Sequence, residues 1–280
     1  MYLSRGTRIA LRVATALVLA FIYLPILVIV LYAFNEGRTQ RWPLDGVTLE
    51  WFGKAIDNPG VRDALWTSVQ AGLGATAIAL LLGTLAAIAV SRFSFFGRDA
   101  VSFLVVLPLA LPGIVTGMAL NATFREVLAP FGVQLGLFTV IVGHATFCVV
   151  VVFNNAVARM RRLSPSFEEA SADLGAHPFE TFRFVTLPQL RSALVAGALL
   201  AFGLSFDEVI VTTFTAGSSE TLPIWILTNL SRPNQLPIVN VVAFFVVALS
   251  IVPVYAAHRL TSERDEAGDA KPAAEALAVP

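Results

Sequence analysis

Six long runs of apolar residues constrain this chain more than any other feature. A helix needs about 20 residues to cross roughly 30 Å of hydrocarbon. The runs lie near 11–34, 65–90, 101–123, 136–157, 191–215 and 237–258. With charged residues at only 14%, such a chain suits a bilayer better than water. The sequence therefore predicts an all-α integral membrane protein with six transmembrane helices and a transmembrane domain over 1–260.

The basic residues predict the orientation of these spans. An even number of spans places both termini on one side of the membrane. Thirteen Lys and Arg residues fall on that side, and six fall on the opposite side. Because basic residues are enriched on the cytoplasmic side, both termini are predicted to be cytoplasmic. The net charge of zero gives no reason to expect a nucleic-acid partner. Residues 261–280, rich in Ala and acidic side chains, predict a disordered cytoplasmic tail.

Small residues and prolines inside the runs predict how the helices pack. The second and fifth runs carry stripes of small side chains at helical spacing, which favour close helix packing in lipid: Ser68, Gly72, Ala75, Ala79, Gly83 and Ala87, then Ala193, Gly197 and Ala201. In the third run, Pro108, Pro112 and Gly113 interrupt the helical pattern. They predict a kink, and the alternative hypothesis is a movable gate wall.

Residues 158–190, between the fourth and fifth runs, predict a folded loop. Ser166 and Glu169 have the spacing of a capping box, and Gly175 suits a left-handed C-terminal cap. A second helix is predicted from Pro178 to about Pro188. The first helix is expected to expose three carboxylates beside small alanines: Glu168, Glu169 and Asp173 with Ala170 and Ala172. A docking site and a solvated connector are equally compatible with this pattern.

The loop also carries a family resemblance. Residues 169–176, Glu-Ala-Ser-Ala-Asp-Leu-Gly-Ala, with Leu187-Pro188 following, resemble the E-A-A-x-x-x-G loop of permease subunits of binding-protein-dependent ABC importers. Ser171 replaces the second alanine of that pattern. In that family the loop forms a coupling helix that inserts into a cytoplasmic ATPase. The resemblance implies that Glu169, Ala170 and Gly175 make this contact, within a coupling segment that also includes Glu168, Asp173, Ala176 and Pro188.

Three later stretches narrow the resemblance. Residues 204–211, 215–217 and 221–225 look like the second permease subunit of spermidine/putrescine transporters. This resemblance implies a bacterial inner-membrane location, surrounding lipid, and three protein partners: a homologous second permease, a cytoplasmic ATPase dimer and an extracytoplasmic substrate-binding protein. Polyamine import is the implied function. An opine, a sugar or an anion remains an alternative cargo.

No pattern in the chain indicates an enzyme. Neither Lys54 nor Lys271 follows the glycine spacing of a phosphate-binding loop. The histidines are isolated at 144, 177 and 258 and form no metal-ligand pattern. We expect no cofactor or metal in this chain, with ATP and Mg²⁺ bound by the partner ATPase. A secondary transporter is the rival class, but it usually has internal repeats, and none is evident here.

Candidate residues for the substrate path are polar groups inside the runs. Asp207 and Glu208 lie within the fifth run, where a carboxylate must face the bundle interior or water. They suit ammonium groups of a polyamine, and the alternative is a structural ion pair or hydrogen bond. Asn154 and Asn155 are weaker candidates, as is Asn121, and interhelical hydrogen bonds are the alternative for all three.

Overall fold

A computed structural model describes residues 4–249, which are helical except for loops and one isolated bridge between Asn35 and Val47. The helices are α1 (Arg5–Ala33), α2 (Glu50–Asp57), α3 (Pro59–Arg92), α4 (Arg98–Ala110), α5 (Gly113–Ala122), α6 (Leu137–Met160), α7 (Ser166–Asp173), α8 (Pro178–Thr181), α9 (Leu187–Phe206), α10 (Ile210–Thr215), α11 (Leu222–Asn229) and α12 (Leu236–Leu249). The tail predicted for 261–280 lies outside the described residues.

Apolar length identifies the candidate spans within residues 4–249. Four continuous helices are long and apolar enough to cross a membrane: α1, α3, α6 and the segment Pro178–Phe206. A bent helix pair passes the same test as a fifth candidate. The sixth predicted span begins as α12, and its second half lies outside the described residues. The count of six therefore stays a prediction.

The bent pair corrects the prediction of one continuous third span. Helix α4 ends at Ala110, Leu111 is extended, and the following helix runs in a direction 104° away. Proline disfavours helical backbone in the residue before it. Pro112 therefore accounts for the extended Leu111 and for the new start at Gly113. By contrast, Pro108 is accommodated inside α4.

The described chain divides into two compact units, one of residues 4–58 with 226–249 and the other of residues 59–225. In the first unit, aromatic rings join three helices. The ring centroid of Phe34, after α1, lies 5.0 Å from that of Phe52 of α2 and 5.6 Å from that of Phe244 of α12. Trp51 is buried and donates its indole N–H to the Asn35 carbonyl oxygen at 3.0 Å. One face of the short helix α2 is therefore buried against other residues of this unit.

An exposed ion pair also lies on α2, beside Trp51. Lys54 Nζ is 2.5 Å from Glu50 Oε1, one helical turn away. The hydrogen bond to Lys54, with the charge of that ammonium group, lowers the pKa of the Glu50 carboxyl. The pair consequently persists to lower pH than an ordinary glutamate would allow.

The second unit is built around α3, α6 and α9, and small side chains let their backbones approach. Ser68, Gly72, Ala75, Ala79, Gly83 and Ala87 are all buried on α3, as are Gly197 and Ala201 on α9. A methyl group added at Gly83 would lie 2.9 Å from the Val149 carbonyl oxygen of α6. The predicted close packing of the two stripes is confirmed.

Candidate functional site

Helix α7 and its C-terminal cap form the centre of the 158–190 loop. Gly175 has φ +84°, a left-handed conformation in which glycine avoids the strain of a Cβ atom. Its N–H donates to the Ala172 carbonyl oxygen, and the Ala176 N–H donates to the Ser171 carbonyl oxygen. This pattern closes the helix in a Schellman arrangement. The predicted role of Gly175 as the cap is confirmed.

The N-terminal cap of α7 differs from the prediction. Ser166 is the first helical residue rather than the cap, and its hydroxyl lies 2.7 Å from the Ser164 hydroxyl. The cap position belongs to Pro165, which has helical backbone angles and no side-chain capping bond. The predicted capping box of Ser166 and Glu169 is therefore wrong. Glu169 is exposed, with its carboxylate not required for the cap.

The three acidic residues of α7 have different surroundings. Glu169 and Asp173 are exposed, as are the small residues Ala170 and Ala172. Glu168 departs from the prediction of exposure, because its side chain is only 24% exposed and forms an ion pair with Arg92, the last residue of α3. The exposed face of α7 therefore presents two carboxylates beside small side chains.

Exposed apolar side chains flank these carboxylates. Phe167 is 58% exposed and Leu174 is 90% exposed, at the two ends of α7. Phe179 and Phe184 are also exposed farther along the loop. The exposure of Leu174 was not predicted, although an apolar residue beside a cap glycine in a polar loop was the available signal. Such a set of apolar side chains marks a surface that a partner can cover.

The second loop helix does not stop at Pro188, which corrects its predicted end. Helix α8 continues through a π-helical turn, Phe182–Thr186, directly into α9. A proline inside a helix removes one backbone donor and crowds the preceding turn. The wider π-helical turn just before Pro188 is a place where this crowding is relieved. The second helix of the loop and the fifth span thus form one continuous helical segment, Pro178–Phe206.

The fifth span is broken where its two carboxylates lie. Helix α9 ends at Phe206 and α10 begins at Ile210. Glu208 is half-buried, and its Oε1 accepts the Val211 N–H at 2.9 Å, so it caps the start of α10. Asp207 is exposed. The Glu208 carboxylate is therefore engaged in a local hydrogen bond, whereas the Asp207 side chain is exposed, and the part of either residue in a substrate path stays a prediction.

The two broken spans contact each other beyond their breaks. Asn121 of α5 donates to the Phe214 carbonyl oxygen of α10, which agrees with the interhelical hydrogen bond considered for this residue. Ring atoms of Phe214 fill the space beside Gly117, where a Cβ atom would come within 2.6 Å. Helices α5 and α10 therefore pack closely, and the breaks in the third and fifth spans belong to one local arrangement.

Asn154 and Asn155 lie apart from this arrangement. The Cβ of Asn155 is near Gly197 of α9, ten residues and therefore about 15 Å before Asp207 along a helix. The Asn155 amide donates to the Val151 carbonyl oxygen within α6, while Asn154 is exposed. The four predicted path residues do not form a single cluster.

Comparison with known proteins identifies the family. The family described as "Binding-protein-dependent transport system inner membrane component" matches residues 79–264. This chain belongs to that family. The permease is 33% identical over 238 residues to the putrescine transport system permease protein PotI of Escherichia coli, covering 83% of this chain and 84% of that protein. It is 31% identical over 256 residues to the spermidine/putrescine transport system permease protein PotC of the same species, covering 90% and 94%.

A solved structure supports the fold of the permease. It resembles a chain of a bacterial ABC transporter involved in the import of the acidic polysaccharide alginate, with a TM-score of 0.63. The match covers 94% of this chain and 99% of that chain at 19% sequence identity. The permease is therefore an inner-membrane transport component with the helical fold of ABC transporter permeases, and the proposed resemblance to polyamine permeases is confirmed.

One buried polar cluster of the permease was not predicted from the sequence. His144 is completely buried on α6, with Nδ1 2.7 Å from the Ser205 hydroxyl and Nε2 2.8 Å from the Thr212 hydroxyl. Ser205 precedes the break in the fifth span and Thr212 follows it. The imidazole therefore links the two halves of the broken span. A histidine inside an apolar run was the available signal, but its partners are more than 60 residues away in the chain.

Proposed function

We propose that this permease forms half of the translocation path of an ATP-driven, binding-protein-dependent importer of polyamines such as spermidine and putrescine. The observation that carries the proposal is identity of 31–33% to two polyamine permeases over at least 83% of the chain. Under this proposal the permease pairs with a homologous permease, a cytoplasmic ATPase dimer and an extracytoplasmic substrate-binding protein. ATP and Mg²⁺ bind to the ATPase, and this chain contributes no cofactor.

The proposed contact with the ATPase is α7 and its cap. Glu169 and Asp173 offer charges for basic partner residues, and Ala170 lets a partner surface come close. Leu174 offers apolar area that becomes dehydrated on binding. Gly175 and Ala176 hold the end of the helix in shape through their backbone hydrogen bonds. Closure of the ATPase dimer would then move α7 and, through the helical segment containing Pro188, the fifth span.

The proposed substrate path runs past the breaks in the third and fifth spans. A broken helix leaves backbone groups that a water-filled cavity can satisfy. Asp207 lies at the end of α9 and is exposed, so its carboxylate is suited to transient pairing with an ammonium group. Few such groups are needed, since tight binding within the path would slow release. Glu208 and Asn155 form hydrogen bonds within their own spans and Asn154 is exposed, so we place them as secondary candidates beside Asp207.

The proposed orientation places both termini and the 158–190 loop in the cytoplasm of a bacterial cell. The basic residues are distributed in this sense. The ion pair between Arg92 and Glu168 supports it, because it brings the end of α3 to the same side as the loop. The transmembrane domain would then extend over 1–260, with 261–280 as a cytoplasmic tail.

ATP hydrolysis by the assembled complex tests this function. The permease would be reconstituted in nanodiscs with its second permease, ATPase and binding protein, and stimulated with spermidine, putrescine or an unrelated solute. We expect polyamine-loaded binding protein alone to stimulate hydrolysis. Glu169→Arg should abolish the stimulation, whereas Glu180→Arg, a charge reversal at another exposed carboxylate of the loop, should retain it.

The other outcomes separate the alternatives. Stimulation by an opine, a sugar or an anion instead of a polyamine would keep the ABC assignment and replace the cargo. A complete lack of ATPase association would contradict the proposal and favour a secondary transporter. Family membership is the reason for expecting the complex to form.

A further inference from the structure

One carboxylate of the loop connects three separate helical segments. Glu168 lies in the first turn of α7, and its Oε2 is 2.8 Å from Nε of Arg92 at the end of α3. Its other oxygen, Oε1, accepts a hydrogen bond from the Thr186 hydroxyl at 2.9 Å. Thr186 is the residue directly before α9. Both carboxylate oxygens are therefore engaged with segments that continue into the membrane.

The surroundings of this connection make it firmer than an ordinary surface pair. The Arg92 side chain is 15% exposed and that of Glu168 is 24% exposed, while Thr186 is buried. Water competes less for charges in such a position than for fully exposed ones. The helix dipoles also favour the arrangement, since Glu168 is near the N-terminus of α7 and Arg92 is at the C-terminus of α3.

Among residues 4–249, helix α7 buries no side chain against the spans. Each residue from 166 to 173 is at least partly exposed, so the helix contributes no fully buried side chain. A side-chain hydrogen bond between Ser171 and Thr181, at 3.1 Å, joins α7 to α8 within the same loop. Glu168 is therefore the polar side chain through which α7 reaches α3, and removing it would loosen α7 while leaving the packed spans intact.

We propose that Glu168 is a positioning residue for energy coupling: through Arg92 and Thr186 it transmits displacement of α7 to α3 and α9 together. The inference rests on the proposed ATPase contact at α7. It gives the two neighbouring carboxylates different roles. Glu169 faces the ATPase, and Glu168 faces the body of the permease. Without the Glu168 connection, ATP-driven movement of α7 is lost in bending of the loop rather than delivered to two spans.

The test measures polyamine imported per ATP hydrolysed, in proteoliposomes containing the whole complex. We expect Glu168→Gln to lower this ratio about fivefold or more, because hydrolysis continues while the spans follow α7 less closely. Glu180→Gln removes one acidic charge from the same loop and should leave the ratio within about twofold of the unaltered permease. The swap Arg92→Glu with Glu168→Arg should recover at least half of the lost ratio, which would show that the pairing of these two positions sets the ratio rather than either side chain alone.

Other results would overturn the inference. An unchanged ratio in Glu168→Gln would exclude a transmitting role. Loss of the ATPase from the purified Glu168→Gln complex would make Glu168 a direct contact rather than a positioning residue. Failure of the unaltered permease to assemble with an ATPase would instead overturn the proposed function, and this result is recognised before any variant is compared.

Discussion

Neighbouring carboxylates in this permease differ in role because the backbone gives them different partners. In α7, Glu168 is turned toward Arg92 and Thr186, whereas Glu169 is exposed. At the break of the fifth span, Glu208 caps α10, whereas Asp207 is exposed. In each pair, one carboxylate forms a hydrogen bond or ion pair within the protein and the other is exposed.

The exposed carboxylate at the break leads to a prediction about uptake. Under the proposed function, Asp207→Asn removes a charge that would pair transiently with ammonium groups, an interaction of about 1 kcal/mol in hydrated surroundings. We expect the maximal rate of polyamine uptake to fall about fivefold, measured with labelled substrate in proteoliposomes. Asp99→Asn, the same change at an exposed residue of α4, should have no such effect. Equal rates for Asp207→Asn and the unaltered permease would remove Asp207 from the path.

The buried histidine leads to a prediction about stability. His144→Leu leaves the buried Ser205 hydroxyl without its imidazole partner, and an unsatisfied buried polar group costs about 2 kcal/mol. We expect a lower unfolding temperature for the purified permease in detergent. The double variant His144→Leu, Ser205→Ala also removes the Ser205 hydroxyl and should unfold at a higher temperature than the single variant, while the Thr212 hydroxyl keeps its hydrogen bond to the Glu208 carbonyl oxygen in both. The opposite order would show that the hydrogen bonds contribute little.

At the scale of helices, departures from regular geometry occur at prolines and at the carboxylate pair of the fifth span. The third span bends at Pro112, the loop enters α9 through a π-helical turn before Pro188, and the fifth span breaks at 207–209. Regular helices, by contrast, form the α3, α6 and α9 core. The permease thus combines a packed scaffold with interrupted helices at its candidate site.

Two glycines test how closely the scaffold helices approach. At Gly83 an added methyl group would lie 2.9 Å from a backbone oxygen of α6, whereas at Gly203 of α9 nothing lies within 4 Å. Alanine favours a helix over glycine by about 1 kcal/mol, but overpacking costs about 1–3 kcal/mol. We expect Gly203→Ala to raise the unfolding temperature and Gly83→Ala to lower it. Similar effects of both changes, measured on the isolated chain in detergent, would contradict the observed close approach.

At the scale of the whole molecule, the C-terminal end of α3 and the 158–190 loop lie at the same end of the membrane-spanning helices. The ion pair between Arg92 and Glu168 requires this arrangement. The excess of basic residues on the same side predicts that it faces the cytoplasm. One buried cysteine, Cys148, provides a convenient background for testing the orientation chemically.

Single introduced cysteines should therefore show opposite accessibility. Ser164 lies in the loop and Thr39 follows α1, and both are exposed. We expect a membrane-impermeant maleimide to label Thr39→Cys from outside intact spheroplasts and to label Ser164→Cys only after the membrane is opened. The unaltered permease, with Cys148 buried, serves as the unlabelled control. Reversed labelling would invert the predicted topology.

The sequence alone determined the features that depend on local pattern. Long apolar runs predicted the helices, small-residue stripes predicted close packing of the second and fifth runs, and Gly175 predicted a left-handed cap. The resemblance of residues 169–176 to a coupling loop led to the correct family. These signals lie within one helix or one turn, where spacing and backbone preference are sufficient.

Only the tertiary structure decided which polar side chains form ion pairs or hydrogen bonds within the protein. The partners of Glu168 lie 76 residues before it and 18 residues after it, and those of His144 lie 61 and 68 residues later in the chain. Spacing along one helix carries no information about such contacts. The packing of separate spans brings these groups within hydrogen-bonding distance. It thereby distinguishes a carboxylate with partners inside the protein from an exposed one.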